Sequence, residues 1–125
     1  MLRHLHRNTQ GGALLEYALL LPLFLLILVG ITQLGQVLWT QAALQHAVDM
    51  AARCASVNTV SCGTPGQIQA YAITQAYGVL LPSTTFTASA QPCGNQVVAA
   101  YPFVFETALF PTPSISLSAR ACYPL

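Results

Sequence analysis

Residues 13–31 are apolar at every position except Glu16 and its partly polar neighbour Tyr17. A helix rises 1.5 Å per residue, so this run is about 28 Å long, close to the hydrocarbon thickness of a bilayer. The pattern predicts a transmembrane helix over residues 12–38. Pro22 lies inside it, removes one backbone hydrogen bond and is expected to bend the axis, which membrane helices accommodate. Beyond Ile31 polar residues enter (Thr32, Gln33, Gln36, Thr40, Gln41, Gln45) with no helix breaker among them. The helix is therefore expected to run on to Ala55, with Trp39 as an interfacial anchor. Ala43, Ala47, Ala51 and Ala55 recur every fourth residue as a ridge of small side chains. Such a ridge admits either a neighbouring helix or a sheet at close range.

Thr64-Pro65-Gly66-Gln67 reads as the start of a second, short helix. Thr64 is the N-cap, Pro65 the first helical position, and Gln67 completes a capping box. Ile68, Ala72, Ala76 and Val79 give this helix an apolar face, with Gly78 near its end. The period then falls from 3.6 to 2. In residues 84–90, Phe86, Ala88 and Ala90 alternate with polar residues. In 97–105, Val97, Ala99, Tyr101, Phe103 and Phe105 share a face, and Pro102 argues for an edge position or a bulge. In 114–122, Ile115, Leu117, Ala119 and Ala121 alternate with Ser116, Ser118 and Arg120. These runs, separated by Pro, Gly and Asn, predict a three-stranded antiparallel sheet. The fold class is α+β: a long N-terminal helix leading into a small domain with a second helix and a sheet. The loop at 107–113 would present Leu109 and Phe110 as an apolar tip.

Composition sharpens this picture. Charged residues are 6% of the 125, against roughly a quarter in ordinary soluble domains. Lysine is absent, and the only cations besides histidine are Arg3, Arg7, Arg53 and Arg120. That is too little basic surface for a nucleic-acid footprint. Asp49 and Arg53, spaced i, i+4, are expected to pair on the helix surface. All four cysteines (Cys54, Cys62, Cys93, Cys122) follow the apolar run. An even number on one side of a membrane fits two disulfides in an oxidising compartment, with buried free thiols as the alternative. Cys54 and Cys62 can close the loop after the long helix. A hairpin of the last two strands brings Cys122 near Cys93, although four cysteines allow three connectivities.

No catalytic constellation emerges. His4 and His6 lie in the leader. His46 and Asp49 can share a helix face, but no third ligand or general base is near them in sequence. There is no paired C-x-x-C zinc motif, phosphate-binding glycine loop, nucleophile elbow or H-E-x-x-H. Neither a metal nor a cofactor is implied, and the chain reads as a non-enzyme.

Residues 1–11 are short, polar and basic. Arg3 and Arg7 orient the N-terminus toward the cytoplasm, so that residues 39–125 form an extracytoplasmic domain whose residues 39–55 continue the long helix. A cleaved signal peptide is the rival, but its apolar core is shorter and ends at a small-x-small site. Glu16 remains to be explained. A charge deep in a bilayer costs about 2.5–3.5 kcal/mol on insertion scales and usually has a specific partner. One alternative leaves it near the interface, protonated or reaching the headgroups. In the other, cutting before Gly12 creates an α-amino group that neutralises the Glu16 carboxylate of a neighbouring copy in a helix bundle.

Gly11, four residues, then Glu16-Tyr17 resembles the processing site of prepilins and pseudopilins of the tight-adherence (Flp, type IVb) family. The longer pattern is similar to the TadE-like minor pilins: Gly12 to Ala18, then Leu21-Pro22-Leu23, then Ala47 to Arg53. The strand residues 115–121, ending Leu-Ser-Ala-Arg-Ala, also resemble that family's C-terminus. The resemblance implies that a prepilin peptidase cuts between Gly11 and Gly12. It implies that Glu16 and Tyr17 serve assembly, and that the partners are other pilin subunits, the peptidase, the inner-membrane pilus assembly platform and lipid. The implied location is the bacterial inner membrane, with a role in a pilus or secretion machine. The chain is longer than that family's major pilins, which points to a minor or accessory subunit. An anchored adhesin displaying residues 107–113 and a secreted disulfide-bonded effector are the alternatives.

Overall fold

In the computed structural model, which describes residues 10–106 and 111–125, the elements follow the predicted order. They are α1 (Gln10–Val57), α2 (Pro65–Thr74), a 3-10 turn (Ser83–Thr85), β1 (Phe86–Gln91), β2 (Gly94–Val104) and β3 (Ser114–Tyr123). The sheet is antiparallel with order β1-β2-β3. The chain divides into two units, Met1–Gly35 and Gln36–Leu125.

In the first unit α1 is unbroken at Pro22, and every residue from 11 to 32 is exposed. Leu14 is 73% and Phe24 57% accessible. A continuous apolar surface of this length is satisfied only by lipid or by other apolar helices. By length and composition the helix can cross a membrane once. The basic residues of the leader, with His4 and His6, lie outside the described residues. Gln10 and Gly11 already belong to α1, two residues earlier than the pattern predicts.

The core of the second unit is built where the C-terminal part of α1 meets α2 and the sheet. Leu44, Val48, Phe86 and Val97 are its largest fully buried aliphatic and aromatic side chains. Around them pack Ala47, Ala51, Ala52, Ala72, Ala99 and Ala119. The alanine ridge of α1 is thus consumed inside the chain: Ala43, Ala47, Ala51 and Ala55 are at most 7% exposed. The ridge lies in the core shared with α2 and the sheet, where its small side chains allow close approach.

α2 begins as the capping box requires. The Thr64 hydroxyl accepts from the Gln67 amide at 3.4 Å, and Gln67 Oε1 accepts from the Thr64 amide at 3.2 Å. It ends at Thr74, short of the predicted Ala76 and Val79. The Gln75 carbonyl is bonded to His46 Nδ1 at 3.1 Å, while the Val79 amide turns back to Ala76 O. The ladder is interrupted, and Tyr77 and Gly78 take left-handed φ values of 48° and 77°. Ala76 is still fully buried, so the apolar pattern was right about burial and wrong about helix.

β1 and β2 are joined by the two-residue loop Pro92-Cys93, which brings the start of β2 forward to Gly94. Proline cannot take the positive φ of a primed hairpin turn. The backbone reversal is absorbed instead by Gly94 at φ 126°, where a Cβ would lie 2.1 Å from Tyr123 O. β2 is the central strand, while Pro102 is expected at an edge or a bulge. Its pairing with β1 ends at Ala99, however, so Pro102 is flanked only by Ser116 of β3 among the described residues.

Two disulfides fasten the unit. Cys54–Cys62 ties the loop after α1 to its last turn, with a Cα–Cα distance of 5.8 Å. Cys93–Cys122 joins the β1–β2 turn to the end of β3 at 6.2 Å. The bridges close 8 and 29 residues of sequence, and loop-closure entropy assigns them about 2.5 and 3.6 kcal/mol respectively. Replacing Cys93 and Cys122 by alanine should therefore lower stability in detergent by about 1 kcal/mol more than replacing Cys54 and Cys62. Urea titrations of the two double variants check this.

The outer edge of β3 is covered by side chains of α1. Gln41 Nε2 donates to Ser118 O at 2.8 Å and Gln45 Nε2 reaches Arg120 O at 3.5 Å. These carbonyls would otherwise form an unpaired strand edge, which is a template for association. Gln41 and Gln45, two of the polar residues beyond the apolar run, thus serve the sheet. Gln41→Ala should cost about 1 kcal/mol and Gln45→Ala less, given its longer bond. Urea unfolding of the two single variants measures the difference.

Candidate functional site

The site residues singled out in the sequence lie at the start of α1. Gly11 and Gly12 occupy its first turn, both exposed, and a Cβ built at either meets nothing within 4 Å. Among the described residues, nothing in the packing requires glycine there. Each glycine disfavours helix by about 0.8–1 kcal/mol relative to alanine. Two in succession at a terminus make the Gly11–Gly12 bond the part of α1 most easily unwound. Helix here and peptidase access are therefore compatible.

Glu16 and Tyr17 lie one turn further along and are both exposed. Tyr17 lines a shallow apolar groove with Leu14, Ala18, Leu20, Leu21 and Phe24. Apart from the Tyr17 hydroxyl, the lining of this groove offers a carboxylate no hydrogen-bond donor. Water, a headgroup or another chain can supply the rest.

Residues 11–53 match the family model described as TadE-like protein, about a third of the chain. That segment is similar to TadE-like proteins. The matched segment begins at Gly11, contains Glu16, Tyr17 and Pro22, and ends at Arg53, one residue before the first cysteine. It stops well short of β3, so the C-terminal likeness seen in the sequence lies outside the matched residues. No curated protein and no solved structure matches the chain.

The other candidates separate. His46 and Asp49 do not act together: His46 Nδ1 is bonded to Gln75 O, and Asp49 Oδ1 accepts from Gln45 Nε2 at 3.2 Å. A carbonyl can only accept, so Nδ1 carries the proton in that bond. The expected Asp49–Arg53 ion pair does not form among the described residues; Asp49 is taken by the glutamine one turn earlier. Among the described residues no group of three or more His, Cys, Asp or Glu could hold a metal ion. The four cysteines are all committed to disulfides. Residues 107–110, including Leu109 and Phe110, lie outside the described residues; the loop's base is closed by the Phe105 amide donating to Pro113 O at 3.0 Å.

Sequence reasoning missed one cluster. Tyr77 stacks on His46 with ring centroids 4.5 Å apart and approaches Trp39 at 6.3 Å. The only hint was the i, i+7 spacing of Trp39 and His46, which places them two turns apart on one face of α1.

Proposed function

We propose that this chain is a minor pilin or pseudopilin subunit of a tight-adherence, type IVb pilus or secretion machine. A prepilin peptidase removes the leader at the Gly11–Gly12 bond. The new amino group then faces the Glu16 carboxylate of an adjacent subunit as the apolar helices pack together. The observation that carries this reading is the TadE-like match, which begins at Gly11 and holds the Gly-Gly pair, Glu16 and Tyr17 on a fully exposed apolar helix. An amine–carboxylate pair in a low-dielectric bundle contributes register more than net stability. Before assembly the same helix holds the subunit in the inner membrane, N-terminus inward, with the disulfide-bonded unit outside. No catalytic step is assigned to the chain; its partners are other subunits, the peptidase, the assembly platform and lipid.

The test is the N-terminus and intact mass of the protein from its native membranes, with and without reduction. A start at Gly12 and a gain of four hydrogens on reduction are expected. An intact Met1 would overturn the processing step and leave an anchored binding module. A start near residue 40 would make the apolar run a signal peptide.

A further inference from the structure

Trp39 is the only tryptophan of the chain and stands at the first position after the predicted span, 12–38. Indole rings at such positions settle at the headgroup level of a bilayer. The structure brings Tyr77 to that ring from 38 residues away, with the two centroids 6.3 Å apart. Tyr77 also lies over His46, two helical turns beyond Trp39 on the same face, at 4.5 Å. The contact is made at a conformational cost: Tyr77 has φ 48°, a left-handed backbone that a bulky side chain rarely adopts. Yet this strain does not bury the ring. Tyr77 remains 60% and Trp39 61% exposed, and Leu80 on the same loop is 93% exposed. Strain that holds apolar side chains out in the open has its return outside the monomer. The loop's surroundings narrow the partner. No Asp, Glu, Lys or Arg occurs between Arg53 and Glu106, so the loop carries no charge that a bilayer interface would have to desolvate.

We infer that the loop carrying Tyr77 and Leu80 forms a second membrane-interface contact, with Tyr77 seated beside Trp39 in the lipid headgroup region. The inference rests on the reading of residues 12–38 as a membrane span. It assigns the α2–β1 connection a role as a second point at which the folded unit meets lipid. Tyrosine suits the place, since its ring partitions into the apolar side of the interface while its hydroxyl stays hydrated.

The experiment uses the full chain in vesicles of phosphatidylethanolamine and phosphatidylglycerol, with and without lipids brominated at shallow acyl positions. In the parent, Trp39 reports alone. In a Trp39→Phe/Tyr77→Trp variant the probe sits at 77, and in Trp39→Phe/Leu80→Trp it sits at 80, where 93% exposure leaves room for the larger ring should the first variant fail to fold. Bromolipid quenching at 77 or 80 should come within about twofold of that at Trp39, as expected for rings at one depth. It should be insensitive to salt, because the loop is uncharged. Quenching of Trp39 by lipid but of the loop probe only by aqueous iodide would overturn the inference and leave the span standing. Failure of lipid to quench any of them would overturn the span itself. A loop probe shielded from both quenchers, and released on dilution of the protein in lipid, would make this face a contact between copies and overturn the lipid assignment.

Discussion

Glu16→Gln should enter the membrane and lose its leader as the parent does, yet be recovered in assembled pili or complexes at about a hundredth of the parent level. Glutamine keeps the size and hydrogen-bonding capacity of the side chain and removes only the charge. Insertion is governed by the apolar run, which the change leaves more apolar, so the membrane fraction should not fall. In the proposed reading cleavage is governed by the Gly11–Gly12 bond, one turn away. In the proposed assembly the variant would lose the partner of the neighbour's amino group, and a buried charge left unpaired costs about 3–5 kcal/mol, more than a hundredfold in an association constant. Immunoblots of sheared pili against membrane fractions, with the N-terminus of each pool determined, separate the three steps. Unchanged assembly would remove Glu16 from its registry role, and loss of cleavage would move that role to the peptidase.

Phe86→Ala should lower the stability of the folded unit by about 3–5 kcal/mol. Phe86 is 1% exposed and the largest fully buried side chain. It is also the hinge of the local structure: its carbonyl accepts from Gln69 Nε2 of α2 at 2.9 Å, and its backbone opens β1 opposite Ala99. The surrounding core is rich in alanine, so few side chains can relax into the space it would leave, and the penalty should fall toward the upper end. A domain of this size has on the order of 5–13 kcal/mol in total. Urea unfolding in detergent with both disulfides intact, followed by near-ultraviolet circular dichroism, measures the loss. Val60→Ala, at a position 85% exposed, should stay within about 0.5 kcal/mol of the parent. A Phe86→Ala penalty below about 1.5 kcal/mol would mean that the core is not organised around this ring.

The elements legible in the amino-acid sequence share one property: their signals are local. The apolar residues from Ala13 to Ile31 carry the span whatever fold the rest of the chain adopts. Thr64, Pro65 and Gln67 lie within one turn, so the start of α2 could be read to the residue. The alternation in β2 and β3 survives because each strand has one face on the core, and Val97, Ala99, Leu117 and Ala119 are buried as the period demands. Gly11, Gly12, Glu16 and Tyr17 stand out for the same reason, as exceptions within two helical turns to a strongly apolar pattern.

Tertiary structure decided whatever depends on partners distant in sequence. Past the end of α2, the Gln75 carbonyl meets the His46 imidazole from 29 residues away, a contact that no local pattern announces. Gln41 and Gln45, which in sequence only mark the loss of hydrophobicity, became the cover of the β3 edge because the fold lays that strand beside α1. The alanine ridge admitted a helix or a sheet by its shape, and the fold buries it in a core to which both α2 and the sheet contribute. Tyr77 was an ordinary residue near a helix end until the fold set it against Trp39. A sequence states which groups must leave water and with what period. Which groups then meet is settled by loop closure and packing, and these act on the whole chain at once.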